Sequence, residues 1–202
     1  MNKFSKALII IGIIFVILFV GFAILGFWHK GQLKKTAEAI DRINSRKITL
    51  DDVMGKNLPL KPDQKINDST IAGIDANNNA IRDDVELEIF SRYPNSAKIR
   101  AAMLQYAQAL QLELTEVFDS ETFVSTLKKE DYGSLCISET VLNEELKTAL
   151  SISNSRRKEI EDIVFNISMR KERHLENLKK YLATYSSKAG IRCDINFSSL
   201  PD

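Results

Sequence analysis

Twelve consecutive residues, from Asp75 to Glu86, place oxygen-bearing side chains at the first, third, fifth, ninth and twelfth positions of a short run. That is the ligand spacing of an EF-hand calcium loop, where a hard cation gathers many oxygens on a bendable backbone. Asp75, Asn77 and Asn79 would supply side-chain oxygens at one end of the ion. Ile81 would supply its backbone carbonyl and turn its apolar side chain inward. Asp83 would coordinate directly or through water, and Glu86 would be the bidentate carboxylate on the exiting helix. The sixth position is Ala80, where the sharp turn calls for Gly. A positive φ on a residue with a Cβ costs on the order of 1 kcal/mol. With three charged ligands and Arg82 inside the loop, the expected dissociation constant is about 0.1 to 1 mM, the range of extracellular calcium modules. The competing reading is a metal-free, Asn-rich turn followed by a helix whose first-turn acids, Asp83, Asp84 and Glu86, suit its dipole.

No second constellation of this kind stands out. Of the two histidines, His29 ends an apolar run and His174 lies on a predicted helix seam, where a packed or pairing role is expected. There is no Gly-rich phosphate loop, nucleophile elbow, zinc spacing or Cys-x-x-Cys. The expectation is a protein that is not an enzyme. An enzyme reading would make Asp83, Asp84 and Glu86 its acids, and would need an apolar pocket and a strongly perturbed carboxylate beside them. The 28 basic and 27 acidic residues leave a net charge of +1, which offers no electrostatic footprint for nucleic acid. The basic clusters at 156–158 and 170–173 are mixed with acids and read as solvated helix faces.

The elements that must position the loop begin with residues 7–28, which carry no charged side chain. As a helix rising about 1.5 Å per residue they span roughly 33 Å, enough for a hydrocarbon core of about 30 Å. Trp28 at the end suits the membrane interface. The rival is a cleaved signal peptide, with Lys3 and Lys6 as its basic n-region and Gly21-Phe22-Ala23 as a small-x-small site. The apolar run continues past that site through Ile24, Leu25, Phe27 and Trp28, which favours an uncleaved single-pass anchor. The expected division is a cytoplasmic tail over residues 1–6, a transmembrane anchor over 7–28, an amphipathic stalk over 29–48, a linker over 49–74 and a helical domain over 75–202. Cys136 and Cys193 are compatible with one disulfide, which would close about 58 residues and stabilise by roughly 4 kcal/mol in the chain-entropy model. Two unrelated buried thiols are the alternative. Lys30, Lys34, Lys35 and Arg42 after the run outnumber Lys3 and Lys6 before it, and a raw positive-inside count would keep the domain in the cytoplasm. A disulfide and the short basic N-tail favour a domain outside it, periplasmic, on a protein of the inner membrane, if the cell is Gram-negative.

Gly and Pro are scarce and apolar positions recur with helical period. The expected fold class is therefore all-α, a single N-terminal transmembrane helix followed by a small irregular helical bundle. Thr49 is placed to cap a short turn, and Pro59, Pro62, Asn67 and Gly73 mark the linker. Val85, Leu87 and Ile89 ride the helix that leaves the acidic loop. Ser96 caps a helix whose stripe is Ile99, Met103, Tyr106, Leu110, Leu114 and Val117. A short helix from Ser120 is expected to break at Asp131-Tyr132-Gly133. One long last helix is expected from Asn154 or Ser155 towards Ser187, with Lys171 and His174 interrupting its seam.

The segment Asp75 to Glu86, and within it Ile81-Arg82-Asp83-Asp84-Val85-Glu86, resembles one shared by uncharacterised exported bacterial proteins. Their pattern is Asp-x-Asn-x-Asn-Gly-Ile-Arg-Asp-Asp-Val-Glu. Gln105-Tyr106-Ala107, the mid-domain Cys136 and the late Cys193-Asp194 are similar too, so the resemblance extends over about residues 70–195. This chain departs from it at Ala80. The resemblance carries no activity with it. The function expected is binding or scaffolding by a membrane-anchored envelope protein, with an unknown envelope protein as partner and calcium as structural cofactor. A protective, immunity-type binder of an envelope toxin or enzyme is the alternative.

Overall fold

The structure is a computed structural model and describes residues 3–186, 190 and 193–200. The first two residues of the expected tail and the expected helix end at Ser187 lie outside the described residues. The chain divides into two units, residues 1–39 and residues 40–202. The first unit consists of the N-terminal part of helix α1 (Lys3–Ser45). Its large apolar side chains between Ile13 and Trp28 are exposed. By length and composition, α1 is the one helix among the described residues that can cross a membrane.

In the second unit follow α2 (Leu50–Val53), α3 (Gln64–Asn67), α4 (Asp83–Arg92), α5 (Ala97–Glu116), α6 (Ser120–Glu139), α7 (Leu146–Val164) and α8 (Ser168–Tyr181). Among the described residues there is no strand, so the chain is all-α as its periodicity implies. Local signals account for several starts. Thr49 and Asp52 form a reciprocal capping box on α2. The Ser96 hydroxyl accepts the Ile99 N–H at the head of α5.

Helix α5 is the axle of the unit. Every side chain from Arg100 to Leu114 is buried, not only the predicted stripe. Buried amides and carboxylates must be hydrogen-bonded, and three of them on α5 hold irregular segments. Gln105 accepts the Asp194 N–H at 2.8 Å, Gln108 donates to the Asn79 carbonyl at 2.8 Å and Gln111 donates to the Ala72 carbonyl at 2.7 Å. Their three-residue spacing puts them on one face of the helix. That face carries the acidic loop, the segment before it and the tail.

The expected break at Asp131-Tyr132-Gly133 is absent, and α6 continues through it to Glu139. Gly133 has a packing role instead. A Cβ there would stand 2.7 Å from the Cα of Tyr106, so only glycine lets α6 approach α5 this closely.

The single long last helix is also corrected. It is divided at 165–167 into α7 and α8. Continuing α7 would have required the carbonyls of Ile163 and Val164. The Arg82 guanidinium takes them instead, at 2.9 and 3.0 Å, and its charge suits a helix C-terminus. His174 lies at the new interface, stacked on Phe165 with Nδ1 3.1 Å from Glu113 Oε2. It pairs, as expected, but it does not interrupt a continuous seam.

Arg170, read as part of a solvated face, is fully buried. It donates to the carbonyls of Asn67, Thr70 and Ile71 and pairs with Asp68 at 3.0 Å. These bonds hold the stretch after α3 against α8. Cys136 and Cys193 are disulfide-bonded. The tail beyond them buries Phe197 and Leu200 in the main core, with Ile81, Val85 and Ile89 among its other members.

Candidate metal centre

The loop from Asp75 to Glu86 folds around its first residue. The Asp75 carboxylate accepts the Ala80 N–H at 2.9 Å and the Asn79 N–H at 3.2 Å. Asn79 Oδ1 accepts the Ile81 N–H at 2.9 Å. Such Asx turns bend the backbone tightly enough that the sixth residue, Ala80, takes φ +63°. The position that calls for glycine thus adopts glycine's conformation while bearing a methyl group. The ends of the loop are joined by the Asp83 N–H donating to the Ile74 carbonyl at 2.8 Å. Ile81 is fully buried in the main core, which fixes the middle of the loop.

The predicted donors are brought into one network. Asn77 Nδ2 donates to Glu86 Oε2 at 2.9 Å, and Asp83 Oδ1 accepts the Ala76 N–H at 2.9 Å. Asp83 and Glu86 are each 1 % exposed. Burial pushes the Glu86 carboxyl up to about 7, the side chains of Asn77 and Asn79 work against that shift, and the charges of Asp52 and Asp83 add to it. Burial likewise raises Asp75, with Asp83 adding to the effect, and raises Asp83 itself. Among the described residues no ion pair reaches Asp75, Asp83 or Glu86. Buried acids without a counter-charge are what a hard cation would relieve, and the donors are all of the oxygen type calcium takes, although among the described residues the three carboxylates do not bring their oxygens within 4.8 Å of one another.

Arg82 does not oppose such an ion as its place in the loop suggests. Its side chain is fully buried and turned towards the end of α7, where it also pairs with Asp84 at 2.5 Å. This departure requires Gly73, because a Cβ there would fall 2.2 Å from Arg82 Cδ. The three acids of the enzyme reading are therefore not brought to one point. Asp84 pairs with Arg82, while Asp83 and Glu86 bond back into the loop.

Four contacts from outside the loop were not legible in its spacing. Gln108 holds the Asn79 carbonyl, Arg46 donates to the Asn78 carbonyl at 2.7 Å, and the Asn57 carbonyl accepts from Asn77 Nδ2 at 3.1 Å. The fourth is electrostatic, the charge of the buried Asp52 acting on Glu86. Only its capping role with Thr49 had a sequence signal. The one group among the described residues whose ligand atoms lie within 4.8 Å of one another, Cys136, Glu139 and Cys193, is not open to an ion, since the two sulfurs are bonded to each other. Compared with protein-family models, curated proteins and solved structures, the chain matches none.

Proposed function

We propose that residues 75–86 bind calcium and that the ion serves as a clasp for the helical unit of a membrane-anchored envelope protein. The ligands are the carboxylates of Asp75, Asp83 and Glu86, the side-chain oxygens of Asn77 and Asn79, and the carbonyl of Ile81. The observation that carries this reading is the burial of Asp83 and Glu86 beside Asp75 with no basic partner. An ion there would join the head of α4 to segments that Arg46, Asn57 and Gln108 already hold against the loop. Such a clasp has no chemistry of its own. It shapes a surface that binds or scaffolds another envelope protein.

The apolar helix, the disulfide and the expected weak affinity support an outward-facing domain on the inner membrane, because a site of this strength fills only where calcium is abundant. Calorimetry and terbium luminescence on the full chain in detergent test the ion. Saturable binding with a dissociation constant of about 0.1 to 1 mM is expected. Glu86→Gln should weaken it about thirtyfold or more, and Ala80→Gly should tighten it about fivefold by removing roughly 1 kcal/mol of backbone strain. No binding up to about 10 mM calcium would leave only a turn. Labelling of an engineered cysteine in the second unit by a membrane-impermeant maleimide on intact cells tests the orientation.

A further inference from the structure

A cleft of about 660 Å³ opens between Asn44 and Lys47 at the end of α1, the middle of α6 and the tail. Lys47, Lys128 and Lys129 line it together with Tyr132, and Asp194 is the one acid in its wall. The Asp194 carboxylate already accepts the Ile48 N–H at 2.9 Å. Among the described residues neither Lys47 nor Lys128 enters an ion pair. Lys129 donates to the Arg46 carbonyl, which satisfies one N–H but supplies no counter-charge. Three ammonium groups thus face one carboxylate, on a chain whose net charge is only +1.

We propose that this cleft binds a phosphate group. A dianion balances the two uncompensated positive charges, and lysines take phosphate as mobile point charges without demanding a planar partner. Burial depresses the Lys129 ammonium, and Lys47 adds to that while Asp194 opposes it, so an anion in the cleft relieves both effects. The volume leaves room for an organic group beyond the phosphate. The tail side of the wall is set in advance, because Cys193 is bonded to α6 through Cys136. The phosphate comes from a soluble phosphomonoester or from a lipid head group. This assignment is independent of the calcium loop.

The test uses the full chain in zwitterionic nanodiscs, titrated with inorganic phosphate and then with glycerol 3-phosphate by calorimetry. Saturable binding in the millimolar range or tighter is expected. The double variant Lys47→Ala, Lys128→Ala should weaken it about twentyfold with an unchanged melting temperature, since both side chains are exposed and bear no structural pair. Nanodiscs containing phosphatidic acid separate the sources: loss of phosphate binding there assigns the site to the head group, and unchanged binding assigns it to a soluble ligand. The proposal is overturned by absence of saturable binding up to about 20 mM of either probe, or by a double variant that binds as tightly as the natural chain.

Discussion

Asn77 Nδ2 donates to Glu86 Oε2, so the third and twelfth positions of the acidic loop grip each other across it at 2.9 Å. The bond satisfies a buried carboxylate through a donor that a cation would displace. Asn77→Asp converts it into a carboxylate pair. Without calcium the variant should be less stable by about 1 to 2 kcal/mol, and its calcium affinity should rise about tenfold. Thermal melts with calcium and with chelator measure both effects. Equal melting shifts in the two proteins would contradict this.

Arg82 connects the loop to α7 and turns away from the proposed calcium ligands. Arg82→Met leaves the carbonyls of Ile163 and Val164 and the carboxylate of Asp84 without their partner. The expected loss of stability is about 3 kcal/mol. Calcium affinity should stay within about threefold, because the charge removed points away from the ligands. Denaturant titration and calorimetry on the same sample separate the two.

Gly133→Ala should destabilise by about 2 kcal/mol or more, as its Cβ meets backbone and not a yielding side-chain tip. Chemical denaturation reads the loss. A neutral result would mean that α6 can withdraw from Tyr106 without penalty.

Glu130 adds to the pH dependence that the raised carboxyls of Glu86, Asp75 and Asp83 also carry. Its Oε1 is buried without a partner, and Glu113 from α5, Asp131 from α6 and Glu161 from α7 add their charge around it. Burial first, then those charges, raise the carboxyl well above its ordinary value. A raised carboxyl keeps its proton in the folded state after the unfolded chain has lost it. Stability is therefore fully present below about pH 4.3 and declines as pH rises, by up to about 1.4 kcal/mol per pH unit, until the folded group ionises. Glu130→Gln should match the natural chain near pH 4 and exceed it increasingly towards pH 8 in urea titrations. Parallel pH profiles would show that Glu130 ionises as it does in the unfolded chain.

What could be read from the residues follows a physical division. The stripe on α5, the caps at Thr49 and Ser96 and the spacing of the acidic loop are local and periodic, and the structure carries each of them. Long-range polar contacts leave no period. Arg170 looks like any surface cation until residues 67–71 present their carbonyls to it. The division between α7 and α8 has no proline or glycine to announce it, because Arg82, some 81 residues earlier, takes the carbonyl of Ile163. Gly133 was read by its intrinsic flexibility, whereas its role lies in the missing side chain. In the loop, spacing could not reveal that Arg82 turns away or that the charge of Asp52 acts on Glu86.

Asp194 receives the amide of Ile48 across 146 positions of chain, next to a sulfur joined to Cys136. A ribosome makes Ile48 long before its acceptor exists. The opening turn of the helical unit therefore stays unsealed until Asp194 has been made, so a contact early in the chain is among the late ones to form.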